Sequence, residues 1–569
     1  MNVFCFDIEA NGLVNLELDK KGRENKRADT VHCIVVTNVT TGEVHAARPD
    51  NLQMALDVLD TADVIIGHNI VGYDLPCLYK LLGWQPKAKT KLVDTLIVGR
   101  LMHPDRTQLP KGLAGHALKD WARYASNYKM DYDGGWEFFS EEMLTYCIQD
   151  VDANISVYHK QLVWIKANHK LMNFEQKVAA ICQDMTRDGF GFNADAGSKL
   201  EYELTVRKAE IEDELRKTFP DIIESRWSEK TGKRLKDKVT CFNPGSSQQW
   251  ASRLLVKYKW KAKTSEKGYP IVDEEVMSSL PYYEAKLGLE YREINKKLTM
   301  VSDWLIRVQP DNCIHGRTNS QGTATGRASH SQPNLAQVPS DPQCRALFGP
   351  NHEGHVQVGC DLSGIELRCL AHYMAVYDGG AYSDEILSGD IHTHNQHAAG
   401  LFTRPSAKTF IYAFLYGAGD GKIGSIVGGS AKDGKKLKDQ FFKKIPAMKK
   451  LVDAVTFKAM EQGNLKLIDG RIVLVRSPHK ALNTLLQGAG AIVSKAWLVI
   501  AKQMLDDAGL EYSLMAWVHD ELQVSCPADV ADQVGDILVA SARKAGDRLG
   551  FRCPVDAEFA VGSNWSACH

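Results

Sequence analysis

The residues able to do chemistry fall into two groups, one at each end of the chain. In "VFCFDIEANG" an apolar run ends on Asp7 and Glu9. Residues i and i+2 of a strand point to one side, so both carboxylates can face one ion. "DVIIGHNIVGYDLP" adds Asn69 and Asp74 after a second apolar run. "YCIQDVDANI" places Tyr146 and Asp150 four apart, on one face of a helix. Any one of these aspartates alone reads more simply as a cap or turn residue. As a set they would repel one another unless cations sat between them. Hard oxygen ligands suit Mg²⁺ or Mn²⁺. Two such ions about 4 Å apart can activate a water and stabilise the leaving oxygen of a phosphodiester.

The second group begins in "HVQVGCDLSGIELR", where a strand ends in Asp361 and a helix opens with Glu366 in its first turns. In "RPSAKTFIYAFLYG", Arg404, Lys408, Tyr412 and Tyr416 recur every four residues. On an α-helix that spacing drifts about 40° per step, so the four form one slowly winding stripe. Two cations and two aromatic rings on a stripe suit a triphosphate with a stacked base. An amphipathic helix with snorkelling cations would explain Arg404 and Lys408 alone. The stripe gains weight from Asp361 upstream and from "SLMAWVHDELQVSC" downstream, where His519, Asp520 and Glu521 interrupt an apolar hairpin pattern. Neighbours on a strand point opposite ways, so only a tight turn lets Asp520 and Glu521 serve one site.

The elements that hold these groups follow from periodicity. "NVFCF", "CIVVTNV" and "DVIIGHN" predict strands of an α/β domain over the first 150 residues or so. Helices are expected from about 174 to 219, broken at Gly189 and Gly191. The stretch 226–238, with Arg226, Lys230, Lys233, Arg234, Lys236 and Lys238, reads equally as a solvated loop or as a phosphate contact. The segment from Asp311 to Pro339, rich in Gly, Ser, Thr and Asn, predicts a loop-rich connection. The chain has 569 residues and a formal net charge of -1, so a length prior gives several domains and the total charge does not single out a polyanion partner. No basic-plus-apolar leader and no apolar run of about 18 residues is evident, which predicts no membrane span. Thirteen scattered cysteines without a C-x-x-C pair read as reduced thiols.

The ordered motifs D-x-E, N-x(4)-D and Y-x(3)-D resemble those of the DnaQ-like 3′→5′ proofreading exonucleases. "DLSGIELR", "R-x(3)-K-x(3)-Y-x(3)-YG" and "VHDE" resemble motifs A, B and C of the family A DNA polymerases. "TGRASHSQPNLAQVP", "CRALFG", "SGDIHTHNQ", "RSPHKALNTLLQGAGA" and the ending "NWSACH" are similar to the replicative polymerases of short-tailed, T-odd coliphages. The resemblance implies an α/β chain with an RNase H-like exonuclease domain (1–165), connecting helices and thumb (166–300), palm (301–373 and 483–569) and fingers (374–482). It implies metal ligation by Asp7, Glu9, Asp74 and Asp150, with Tyr146 orienting the attacking water. It implies that Asp361, Asp520 and the Leu362 carbonyl hold a second pair of Mg²⁺ ions, Mn²⁺ being possible, with Glu521 in support. Arg404, Lys408, Tyr412 and His392 would hold the incoming dNTP. Glu366 with Tyr412 would form a gate against a 2′-hydroxyl. Tyr416 and Gly417 would flank the templating base, and Arg327, Asn483, Gln487 and His519 would read the primer–template minor groove.

The implied partners are primer–template DNA, dNTPs, a phage helicase-primase and a single-strand-binding protein, in the cytoplasm of a bacterial host. The T-odd coliphage polymerases carry a long thumb insertion that captures thioredoxin. Here only 22 residues separate "KTF", ending at Phe219, from "FNPGSS", starting at Phe242. No thioredoxin clamp of that kind is expected. Gap-filling polymerase, non-catalytic nucleic-acid binder and RNA-synthesising relative are the competing readings. The intact carboxylates argue against the second, and Glu366 with Tyr412 against the third.

Overall fold

The computed structural model describes residues 1–14 and 25–568, so the final His569 of "NWSACH" lies outside it. Its backbone contacts divide into two compact units: 1–191 with 315–338 and 349–569, and 192–314 with 339–348.

In the first unit the amino-terminal apolar runs become β1 (Val3–Ala10), β2 (Val31–Asn38), β3 (Val44–Ala47), β4 (Val64–Gly67) and β5 (Lys91–Asp94). The sheet order is β3-β2-β1-β4-β5. β1 pairs antiparallel with β2 and parallel with β4. Both faces are covered. Phe4, Phe6 and Ile8 enter one apolar cluster. Val3 and Cys5 enter another with Leu144, Cys147 and Val151 of the helix Glu141–Ala167. Asp7 and Glu9 continue the Val3–Cys5 face, and therefore lie under that helix.

The carboxy-terminal part of the unit is a four-stranded antiparallel sheet. The strands Ser513–Val518, Glu521–Pro527, His355–Leu362 and Ala557–Gly562 lie side by side in that order. The helices Ala481–Asp507 and Ala531–Arg548 pack together, and the core around them includes Trp497, Leu498, Val534 and Leu538. The helix Arg404–Leu415 starts where Thr403 caps the Ser406 amide at 3.2 Å and Pro405 fixes the first turn. It buries Ala407, Phe410, Ile411, Phe414 and Leu415, a helical spacing that leaves Arg404 and Lys408 exposed. It ends at Tyr416, the cap residue, because Gly417 takes a left-handed φ of 75°.

A network of charges runs inside this unit, with Glu175, Lys495 and Arg471 buried and Asp469 half-buried. The Lys495 ammonium lies 2.7 and 3.0 Å from the Glu175 carboxylate oxygens. Arg471 lies 2.7 Å from Glu175 and 2.6 Å from Asp469. Burial, the largest influence, pushes the Glu175 carboxyl up, but the charges of Lys495 and Arg471 outweigh it and hold the group below its usual range.

One expectation needs correction. The stretch 226–238 is not a loop. Ile222–Trp227 and Arg234–Thr240 pair as an antiparallel hairpin within the second unit. Its charged residues satisfy a backbone ladder while almost every side chain stays in solvent. The helix Pro478–Asp507 reaches a mean hydropathy of 1.4 over 18 residues, the length of a membrane span. That window is 72% buried, which marks it as a core helix. All thirteen cysteines are free thiols, twelve of them buried.

Candidate active sites

The amino-terminal site is built on β1. Asp7, Glu9 and Cys147 bring ligand atoms within 4.8 Å of one another. Asp74 opens the helix Asp74–Leu82, is 2% exposed, and accepts the Ile8 amide at 3.2 Å. Asp150 and Tyr146 share the helix Glu141–Ala167, and Asp150 is buried. All four carboxylates predicted from sequence therefore converge on one side of the sheet.

Their charges are under strain. Burial, opposed by Lys129 and the Cys147 thiol, pushes Asp7 up to about 6. Burial and then the Asp7 charge push Glu9 up to about 10. The same two causes raise Asp74 well above the carboxylate range. Asp150 Oδ1 is buried and makes no hydrogen bond. Oδ2 of the same residue is paired with Lys129, which lies 4.3 Å from the centre of the Tyr146 ring. Tyr146 also packs against Tyr132 and Trp136, with centroids 5.3 and 6.0 Å away. Lys129, Tyr132 and Trp136 come from a polar stretch without periodicity, and sequence reasoning missed them. Asn69 stands apart: its amide donates to Asp94, and its φ is 67°.

The carboxy-terminal site depends on one turn. Val518 pairs with Glu521, which leaves His519 and Asp520 as a two-residue hairpin connection. His519 takes a φ of 58°, a conformation costly without a glycine. The Ser494 hydroxyl holds it by donating to the His519 carbonyl at 2.6 Å, and the Trp517 indole donates to the same hydroxyl at 2.7 Å. The Leu362 amide donates to the Asp520 carbonyl at 2.9 Å. Asp361 lies opposite Glu521 on the neighbouring strand. The tight turn thus brings all three carboxylate-bearing positions to one strand end. Glu521 is buried, and the Trp565 indole and the Gln523 amide donate to it.

Glu366 faces this turn. Burial and then the Glu366 charge push Asp520 up to about 6. Arg327 lies 3.8 Å from Glu366, and the Tyr416 hydroxyl donates to Glu366 at 3.1 Å. The hydrogen bond to Glu366 therefore comes from Tyr416, one step further along the stripe than Tyr412. Tyr412 is half-buried, with the His392 ring 6.2 Å away. His392 Nδ1 is buried and makes no hydrogen bond. Arg404 binds the Asp390 carboxylate through two nitrogens, at 2.6 and 3.2 Å. Asp390 also caps the helix Ile391–Ala399. An Asp before "IHTH" is a recognisable cap, so its presence was legible; its grip on Arg404 was not. Asn483 and Gln487 lie one turn apart and half-buried on the helix Ala481–Asp507.

Carboxylates at the end of an antiparallel sheet, facing a helix with a cationic stripe, form the class of site that handles nucleotide phosphates. The model of DNA polymerase family A matches residues 214–567. The DNA-directed DNA polymerases of Enterobacteria phage T3 and Escherichia phage T7 are each 33% identical to this chain, over 99% of it and 99% of their own lengths. The chain belongs to DNA polymerase family A. Its fold matches that of the POL domain of Pol1 from M. smegmatis, solved in complex with DNA primer-template and dNTP. The TM-score is 0.80 at 19% identity, covering 99% of this chain and 96% of that one. The palm, fingers and thumb architecture follows from that match.

Proposed function

We propose that this chain is a template-directed DNA polymerase that extends a primer with dNTPs and removes misplaced nucleotides from the primer 3′ end. The observation that carries the synthetic reading is the His519–Asp520 turn, which sets Asp520 beside the end of the Asp361 strand and opposite Glu366. The four carboxylates around β1, with Glu9, Asp74 and Asp150 buried and Asp7 half-buried, support the nuclease reading.

Both donor sets fit Mg²⁺ or Mn²⁺. They offer hard oxygens, and Asp150 Oδ1 is a buried acceptor left without a donor. Asp7, Glu9, Asp74 and Asp150 would hold metal at the first site, and Asp361, Asp520 and the Leu362 carbonyl at the second. Bound metal would lower the pKa of the attacking oxygen and neutralise charge on the leaving group. The residues of the chain do the rest. Arg404 exchanges Asp390 for the nucleotide phosphates, and Lys408 adds a second positive charge along the same stripe. Tyr412 and His392 flank the sugar and phosphates, and Glu366 excludes a 2′-hydroxyl. Tyr146 orients the water that attacks the primer end. Glu521, held by Trp565, stiffens the turn beneath the site.

A role in phage genome replication is supported by the full-length likeness to the phage T3 and T7 enzymes. A helicase-primase and a single-strand-binding protein are the partners such a role entails. The alignment to the T3 enzyme runs over 712 positions against a chain of 569 residues, so that relative carries segments absent here. The 22 residues between Phe219 and Phe242 accommodate only the Ile222–Thr240 hairpin. This supports a polymerase without a thioredoxin clamp of the T-odd coliphage kind. The test is a primed template labelled at the primer 5′ end. With four dNTPs and Mg²⁺ the primer should lengthen, and without dNTPs it should shorten one nucleotide at a time. Failure to lengthen contradicts the polymerase reading, and failure to shorten contradicts the nuclease reading.

A further inference from the structure

Lys129 sits among the amino-terminal carboxylates as a built part of the site. Its ammonium pairs with Asp150, and only 22% of the Lys129 side chain and 5% of the Asp150 side chain are exposed. The stretch that carries it is fastened to the helix bearing Asp150. Gln149 clasps the backbone on both sides of Lys129: its side-chain oxygen accepts from the Met130 amide at 2.7 Å, and its side-chain nitrogen donates to the Tyr128 carbonyl. Two residues earlier, the Asn127 amide donates to Asp152 at 3.0 Å and to Ser156 at 2.9 Å. On the far side, the Tyr132 ring packs on Tyr146. A lysine held from both sides, with its charge aimed at the proposed metal ligands, is positioned for electrostatic work rather than solvated by chance.

We propose that Lys129 is a resident cation of the amino-terminal carboxylate site, sharing Asp150 with a divalent ion and so setting how much free metal that site requires. The proposal rests on the nuclease reading. Lys129 supplies one positive charge to a cluster of four acidic side chains. A divalent ion that engages Asp150 must displace that charge or sit beside it, and either costs affinity. At low free metal the lysine keeps Asp150, and trimming of the primer end waits for metal to take its place. Lys129 acts through the metal ligands and is a positioning residue.

The experiment is Mn²⁺ binding to the full-length chain, followed by isothermal titration calorimetry. Asp361→Asn and Asp520→Asn in the background silence the carboxy-terminal site. The expected result is that Lys129→Met tightens Mn²⁺ binding on the order of tenfold, as loss of one adjacent like charge implies. Lys129→Arg should keep the parent affinity. Lys129→Gln, uncharged but polar, should give the same tightening, which covers the case where methionine is poorly accommodated. Unchanged or weaker binding in both neutral variants overturns the role of Lys129 while leaving the nuclease reading intact. No Mn²⁺ bound in the parent or in either neutral variant overturns the nuclease reading, and the proposal with it.

Discussion

Replacing Glu175 by glutamine removes one charge from a site with no water to compensate. Glu175 and Lys495 are each 0% exposed, and Arg471 is 7% exposed. The carboxylate receives three nitrogen contacts, at 2.7, 3.0 and 2.7 Å. Arg471 keeps Asp469 as a second partner. Lys495 has no second carboxylate among its ion pairs in the described residues, so it carries most of the loss. Breaking a buried pair by removing one partner costs roughly 3–5 kcal/mol, because the other charge stays buried. Glutamine can still accept a hydrogen bond, which places Glu175→Gln near the lower end. A factor of ten corresponds to about 1.4 kcal/mol, so amides that exchange through opening of this region should exchange at least roughly a hundredfold faster. The assay is hydrogen exchange of the full chain, read on peptides from the helices His169–Asp188 and Ala481–Asp507, which carry Glu175 and Lys495. A second variant, Glu175→Leu with Lys495→Met, removes both charges and should recover most of the loss. Acceleration below tenfold in Glu175→Gln, or no recovery in the double variant, would refute this view of the network.

Three further outcomes are expected. Glu366→Ala removes the acceptor of the Tyr416 hydroxyl and the partner of Arg327; ribonucleotide incorporation should rise at least about tenfold relative to deoxyribonucleotide in single-turnover extension. Burial holds His68 neutral down to about 3, and His116 and His372 down to about 4. Between those values and the ordinary 6.5 the unfolded chain binds protons that the folded chain refuses. The contribution of each such histidine to stability should therefore fall as pH drops below about 6.5, by at most about 1.4 kcal/mol per pH unit, while the raised carboxyls of Asp7 and Asp520 act in the opposite sense; the histidine part is read as the difference in melting temperature between the parent and His116→Gln from pH 7 to 4.5. Replacing Lys230, Lys233 and Lys236 of the exposed hairpin by glutamate should flatten the salt dependence of primer–template binding, by about one unit of slope for each phosphate the hairpin no longer neutralises. An unchanged slope would show that the hairpin does not touch the duplex.

Much of the site was legible because its chemistry sits at the ends of strongly patterned elements. The apolar runs before Asp7 and Asp361 read as buried strands, and the Arg404–Tyr416 spacing survives as a stripe, exposed at Arg404, Lys408 and Tyr416 and half-buried at Tyr412, until Gly417 stops the helix. The hairpin at Asp520 was legible because three polar residues break an apolar alternation. What the pattern hid are interactions made across long sequence separations. Lys129 is 21 residues from Asp150, in a stretch without period, and nothing local marks it as a partner. Ser494 reads as an ordinary small helix residue, yet it fixes the carbonyl of His519. The Ile222–Thr240 strands escaped because charged, largely exposed strands lack the alternation that burial imposes on sequence. The helix Ala481–Asp507 shows the converse: burial on nearly every side removes the amphipathic signal and imitates a membrane segment.

The central claim is that two separate carboxylate sites perform two separate reactions on one primer end. The direct measurement uses Asp520→Ala and Asp7→Ala, each assayed for primer extension with dNTPs and for 3′ degradation without them. Asp520→Ala should lose extension by at least about a thousandfold and keep degradation, while Asp7→Ala should keep extension and lose degradation to a similar extent. Loss of both reactions in either variant, with the protein still folded, would contradict the account.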